Sequence, residues 1–243
     1  MIKLNLPKAQ GLFVTGTDTG IGKTLIAGAI AQFFVASGKR VAVFKPVASG
    51  CRKTREGLIS EDAEFLAYCA NSEFPLSVIN PVTFELPAAP ILCEQVEGRK
   101  VDFEQIGSTY KYICENSDVV IVEGIGGIRV PISKDVDVLD LTKAFDLPVI
   151  IVARPDLGTI NHTLLTIDAV RDAGLTLAGI VINRYDESKA ELAEKTAPEI
   201  IAQCRDVKIL TVAPYDPAAN VKEGVIGEQI ADAMSSVDWN EMI

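Results

Sequence analysis

Apolar residues in this chain fall into short blocks of two kinds. In the first kind, successive positions are apolar and β-branched: Val-Val-Ile-Val over 119–122 and Val-Ile-Ile-Val over 149–152 contain no polar alternate. A strand with one face in water alternates apolar and polar residues, so an unbroken run fits a strand covered on both faces. Gly11–Val14, Arg40–Phe44, Asp118–Val122, Pro148–Ala153, Leu177–Ile182 and Lys208–Val212 are the strand candidates. In the second kind, apolar residues recur with helical period, over Thr24–Ser37, Glu61–Ala70, Phe103–Glu115, Ile160–Ala173, Ala190–Cys204 and Gly224–Ser235. Strand alternating with helix predicts right-handed crossovers and hence a parallel sheet. The expected fold is α/β, a doubly wound, mostly parallel sheet flanked by helices. No repeat, low-complexity tract or Gly/Ser linker divides residues 1–243, which predicts one domain.

One stretch resists this description. Pro75, Pro81, Pro87 and Pro90 interrupt every periodic pattern across 74–100, which predicts a long irregular connection. Such a connection is either a lid or substrate loop, or a surface excursion.

Composition narrows the functional classes. At 48% hydrophobic and 23% charged residues the chain is of ordinary folding composition, and its length buries a core without disulfides or a structural metal. Lys+Arg 23 against Asp+Glu 33 leaves a net charge of −10 with no basic run, which argues against nucleic acid and anionic membrane as partners. The five cysteines form no Cys-x-x-Cys pair and are odd in number, as expected of reduced core thiols in a cytosolic protein. The single histidine, His162, excludes His-rich metal cages and leaves any Ser-His-Asp triad resting on it alone. Met1–Pro7 lacks the apolar core of a signal peptide, and no apolar stretch approaches the ~18 residues of a membrane span, so a cytoplasmic setting is expected.

The strongest local signal is Gly-Leu-Phe-Val-Thr-Gly-Thr-Asp-Thr-Gly-Ile-Gly-Lys-Thr over 11–24, an apolar strand, a loop of small residues and a helix start. A triphosphate needs inward-pointing N–H groups, a helix N-terminus, a lysine for the outer phosphates and a hydroxyl for Mg²⁺. Gly20, Gly22, Lys23 and Thr24 supply these in order, with Ile21 and Leu25 completing the cradle. The usual pattern has a glycine separated by four residues from the Gly-Lys pair; here that residue is Thr17, with Gly16 one step further out. The fold is therefore expected to be of the P-loop NTPase kind.

Three further positions gather at the carboxyl edge of such a sheet, where ligands bind in open α/β folds. Lys45 follows the second strand and is either an ordinary solvated lysine or a second cation beside the transferred phosphoryl. Asp62 is either a Mg²⁺ ligand or the cap of its own helix. Glu123 ends an all-apolar strand and is followed by Gly124, Gly126 and Gly127, which permit close ligand approach and fit a metal-orienting acid. Asn183 ends another strand, before Arg184, and is either an adenine-reading amide or a turn residue. The run Pro155–His162 enters a helix with no charged side chain in its first turn, a start suited to an anion.

Taken together, Val14–Thr24, Lys45-Pro-Val-Ala-Ser-Gly50, Val122-Glu-Gly-Ile-Gly-Gly127 and Leu157-Gly-Thr-Ile-Asn-His162 resemble the dethiobiotin synthetase family, in family order, over Leu12 to about Asp216. Thr17 belongs to that family's own loop. The resemblance implies a homodimeric ligase using ATP and Mg²⁺, which makes dethiobiotin from 7,8-diaminopelargonate and CO₂ through a phosphorylated carbamate. It places Lys23 on the phosphates, Thr24, Asp62 and Glu123 on Mg²⁺, and Lys45 on the carbamate and γ-phosphate. Thr19 and Ser49 contact the substrate in this scheme. Asn183, with Pro214, Tyr215 and Asp216, surrounds the adenine, and Gly158, Thr159, Ile160 and Asn161 meet the substrate carboxylate across the dimer interface.

Two rivals share the loop type. An amidating synthase of the cobyrinic-acid kind needs a glutaminase partner domain with Cys and His, for which one histidine leaves no room. A partitioning or septum-positioning ATPase, a dimerising switch, carries a signature lysine where this chain has Asp18.

Overall fold

All six predicted strands form, and they lie side by side in parallel. The computed structural model describes residues 4–243. The strands are β1 Gly11–Gly16, β2 Val41–Phe44, β3 Val119–Glu123, β4 Val149–Ala153, β5 Leu177–Tyr185 and β6 Ile209–Pro214. Across the sheet the order is β2-β3-β1-β4-β5-β6, every pairing parallel. The chain winds one way from β1 to β2 and the other way from β4 onward. The crevice beyond the carboxyl ends of β1 and β3 is therefore the topological switch point, where open α/β sheets bind ligands.

The helices are α1 Lys23–Ala36, α2 Glu61–Cys69, α3 Leu76–Ile79, α4 Pro90–Glu97, α5 Phe103–Glu115, α6 Val138–Phe145, α7 Thr159–Asp172, α8 Leu192–Arg205 and α9 Glu228–Ser235. Leu12, Val14 and Ile121 pack on one side of the sheet with α1, α2 and α9. Phe13, Val120 and Val122 pack on the other with α5 to α8. Two covered faces explain the unbroken apolar runs. Helix α1 is buried along nearly its whole first half, because it lies between the sheet and both α2 and α9. A Cβ on its Gly28 would come within 2.4 Å of the Phe65 ring, so glycine there lets α2 approach closely. The chain ends in a turn of 3₁₀ helix, Trp239–Met242, whose indole is fully buried and donates from Nε1 to the Met234 carbonyl at 2.8 Å.

Three expectations need correction. Residues 74–100 are not one irregular connection: they hold α3, a two-residue strand Val82–Thr83 and α4. Two of the prolines start helices, Pro75 as the residue capping α3 and Pro90 in the first turn of α4, where a missing N–H costs nothing. Helix α6, two turns long, was absent from the predicted helices. Its start is fixed by a reciprocal cap, in which the Asp137 side chain accepts from the Asp140 N–H at 3.0 Å and Asp140 accepts from the Asp137 N–H at 3.2 Å. Asp137→Ala is expected to cost about 1 kcal/mol, a melting shift of about 2–4 °C in thermal unfolding. An unchanged midpoint would show that the cap does not set this helix. Last, only Cys51, Cys69 and Cys93 are buried; Cys114 is half-buried and Cys204 exposed. Among the described residues, no helix is long and apolar enough to cross a membrane.

Candidate active site

The site begins where β1 runs out. Its strand ends at Gly16, and the loop reaches α1 through Gly20 and Gly22, both at positive φ (+73° and +91°). Ile21 is 3% exposed and roots the loop in the core, outside the lining of the cleft. The loop is further tied by the Thr17 N–H, which donates to the Val152 carbonyl at 3.0 Å. From below, the Asn183 amide nitrogen donates to the Ile21 carbonyl at 2.8 Å. A Cβ on Gly22 would lie 2.2 Å from that same amide nitrogen. Lys23 folds back along the loop and donates from Nζ to the Asp18 carbonyl at 3.0 Å. Burial holds its pKa down to about 8, against the opposing pull of Glu123.

Parallel pairing of β1 with β3 sets Val14 opposite Glu123, which brings a carboxylate beside the loop. Glu123 is 1% exposed. Its Oε1 accepts from the Thr24 hydroxyl at 2.9 Å and from Lys45 Nζ at 2.8 Å, while Oε2 has no hydrogen-bond partner among the described residues. Lys45, 3% exposed, also donates to Asp62 Oδ2 at 2.7 Å and lies 3.5 Å from the Gly124 carbonyl. Burial works against the Lys45 charge, yet Glu123 and Asp62 together outweigh it and raise its pKa. Burial also opposes the Asp62 carboxylate, but Lys45 outweighs it and keeps that pKa below the ordinary value. At Glu123 burial dominates and raises the pKa. Ser60, not Asp62, caps α2, accepting from the Ala63 N–H at 3.4 Å, so the Asp62 side chain is left for the ammonium.

These groups open into a cleft of about 640 Å³. Thr19, Gly20, Gly22, Lys23, Thr24, Leu25, Lys45, Ser49, Asp62, Glu123 and Gly126 line its inner part, and Arg184, Pro214, Tyr215 and Asp216 its outer end. Gly124 stands behind Lys45, not in the wall. Asn183 is fully buried beneath the loop and likewise does not line the cleft; its Oδ1 has no partner among the described residues. Gly158, Thr159, Ile160 and Asn161 are also outside it, at the start of α7, with Gly158 at φ +95°.

Sequence reasoning passed over the segment 217–222, part of which closes the outer end. It is held by Asp216, whose side chain accepts from the N–H groups of Ala218 at 2.9 Å and Gln229 at 3.1 Å, and by a Lys222–Glu61 ion pair at 3.3 Å. The only signal in the sequence was Pro217 at its start and Gly224 just beyond its end. Among the described residues no three His, Cys, Asp or Glu side chains form a metal cage, so any cation here relies on two carboxylates, a hydroxyl and ligand oxygens.

Known proteins resemble the chain at two levels. In fold it is similar to the MinD cell division protein of Aquifex aeolicus, with a TM-score of 0.60 at 16% identity, covering 94% of each chain. The ParA family ATPase of Chlorobium tepidum TLS matches with a TM-score of 0.55 at 16% identity, over 93% of this chain and 96% of that one. At such identities the likeness is one of fold. In sequence, residues 10–222 match a family described as an AAA domain. The ATP-dependent dethiobiotin synthetase BioD of Bacillus subtilis (strain 168) is 40% identical over 92% of this chain and 94% of its own. The protein of the same name from Thermodesulfovibrio yellowstonii is 37% identical over 84% of this chain and 88% of its own. With these motifs at one sheet edge and these relatives along most of its length, the chain belongs to the ATP-dependent dethiobiotin synthetase family.

Proposed function

We propose that the chain is an ATP-dependent carbon–nitrogen ligase that converts 7,8-diaminopelargonate and CO₂ into dethiobiotin in biotin biosynthesis. CO₂ adds to one amine, which gives up a proton, to form a carbamate, whose oxygen takes the γ-phosphoryl group of ATP and releases ADP. The second amine then attacks the carbonyl carbon, closes the ureido ring and expels phosphate, losing a proton.

The observation that carries this reading is the position of Lys45. Its ammonium sits inside the cleft between Asp62 and Glu123, beyond the phosphate-binding loop and on the side of Ser49. A carbamate is a weak anionic nucleophile and its target is a polyanion, so the reaction needs cations held on both sides of the transferred group. In this scheme Lys23 serves the phosphates and Lys45 the carbamate and γ-phosphate, with Thr19 and Ser49 on the substrate. Arg184, Pro214, Tyr215 and Asp216 lie toward the base, and Asn183 braces the phosphate-binding loop from beneath.

Two lysines against two carboxylates leave the pocket without surplus positive charge. A tetra-anionic nucleotide therefore calls for another cation, and the unpartnered Glu123 Oε2 offers it an oxygen. Thr24, Asp62 and Glu123 would hold Mg²⁺, which supplies charge neutralisation to the outer phosphates. Gly158 to Asn161 lie away from the cleft within one copy, which fits a homodimer in which they serve the other copy's substrate. Residues 1–243 act in this reading as a single synthetase domain in the cytoplasm, without nucleic-acid or membrane partners. Asp18, standing where partitioning ATPases carry their signature lysine, accepts from the Thr19 N–H at 2.7 Å and gives no support to a switch.

The test is phosphate release from ATP. Release should depend on both the diamine and bicarbonate, with dethiobiotin formed in equal amount. Hydrolysis that proceeds equally fast without them would refute the synthetase reading and favour the switch.

A further inference from the structure

The prolines of 74–100 mark a segment that does specific work on Lys45. The Lys45 N–H donates to the Ile79 carbonyl at 2.8 Å, and the Lys45 carbonyl accepts from the Asn80 amide nitrogen at 2.6 Å. The same amide nitrogen donates to the Val82 carbonyl at 3.2 Å. Both backbone groups of Lys45 are thus taken up by one short stretch, and Asn80 cross-links it to the strand Val82–Thr83 that follows. Beyond Lys45 the contact continues as a ladder. Val47–Ala48 pairs in parallel with Val82–Thr83, the Phe84 N–H donates to the Ala48 carbonyl at 2.9 Å, and the Gly50 N–H donates to the Leu86 carbonyl at 3.1 Å.

Asn80 is 4% exposed, and its Oδ1 has no partner among the described residues. Burying an amide with one atom unsatisfied costs about 1–3 kcal/mol, so a packing role alone would be served better by an apolar side chain. Its donors are the reason to keep it. They fix the carbonyl of the residue whose ammonium must sit against the reacting groups, next to Pro46, which restricts the same backbone from the other side.

We propose that Asn80 is a positioning residue for Lys45, holding the backbone from which its ammonium reaches into the cleft. The proposal rests on the synthetase reading for its effect on turnover, but not for the effect on the backbone itself. A displacement of about 1 Å in a reacting group costs on the order of 10²-fold in rate.

Asn80→Leu keeps the side chain's shape and removes its donors. It is expected to lower kcat by about 10–100-fold, with KM for ATP and the affinity for ADP within about twofold of wild type. Hydrogen exchange at Lys45 should quicken while that of Gly11–Thr24 stays unchanged. In a Lys45→Ala background, followed by single-turnover incorporation of labelled CO₂, Asn80→Leu should lower the residual rate no further, because the residue acts through the missing side chain. An equal loss in both backgrounds, an unchanged kcat, or unchanged exchange at Lys45 would each overturn the proposal. If Asn80→Leu does not fold, Asn80→Ala carries the same readouts. A wild-type chain that makes no dethiobiotin would refute the synthetase reading, and the exchange measurement would still decide whether Asn80 holds Lys45.

Discussion

Lys45→Ala is expected to lower diamine- and bicarbonate-dependent phosphate release by about 10³-fold while leaving the fold intact. The side chain is one of two lysines in the inner part of the cleft, and removing one preorganised electrostatic group at a reacting centre typically costs about 10²–10³ in rate. Its loss also leaves Asp62 and the buried Glu123 without the ammonium that now bridges them at 2.7 and 2.8 Å. A second, opposite effect follows. With that built-in counter-charge gone, Mn²⁺ should bind the nucleotide-free variant about tenfold more tightly than it binds wild type. Phosphate release gives the first result, titration calorimetry with Mn²⁺ the second, and far-ultraviolet circular dichroism the control for folding. A fully active Lys45→Ala enzyme would remove this residue from the mechanism.

Gly22→Ala is expected to weaken ADP binding by at least about 10²-fold. Two costs combine at this position. Its φ of +91° is strained for an L side chain by about 1–2 kcal/mol. The new Cβ would also lie 2.2 Å from the Asn183 amide nitrogen, which is pinned by its bond to the Ile21 carbonyl and cannot swing away, adding about 1–3 kcal/mol of overpacking. Gly20→Ala is the control. Its φ is +73°, but among the described residues nothing lies within 4 Å of its Cβ, so only the strain applies and the loss should be about tenfold. Calorimetric titration with ADP separates the two variants. Equal effects would show that Asn183 does not brace the loop.

The pairings that sequence reasoning could not supply share a physical cause. Thr24 and Glu123 are 99 residues apart, Lys45 and Glu123 78, and Asn183 and Ile21 162. No local period or turn signal reports such pairings. Asn183 suggested an adenine contact or a turn because an amide at a strand end suits both; in the fold it lies under the loop. Asp62 was an even choice between cap and ligand until Ser60 took the cap. Helices α4 and α6 are two turns long, and their starts rest on a proline and on a reciprocal aspartate cap. Asn80 carried no signal, since an Asn-Pro step between apolar residues reads as a turn.

The sequence by itself determined the layered parallel sheet, the phosphate-binding loop at its edge, the order of the motifs and through them the family. Those features are written in neighbouring residues: a buried strand needs an unbroken apolar run, and a phosphate cradle needs its glycines, lysine and hydroxyl in succession. Only the tertiary structure decided which carboxylates hold Lys45, what props up the loop, and that the proline-rich segment splints the strand end carrying that lysine. Burial and charge pairing depend on which strands become neighbours, and β3 reaches β1 only after more than a hundred residues of intervening chain.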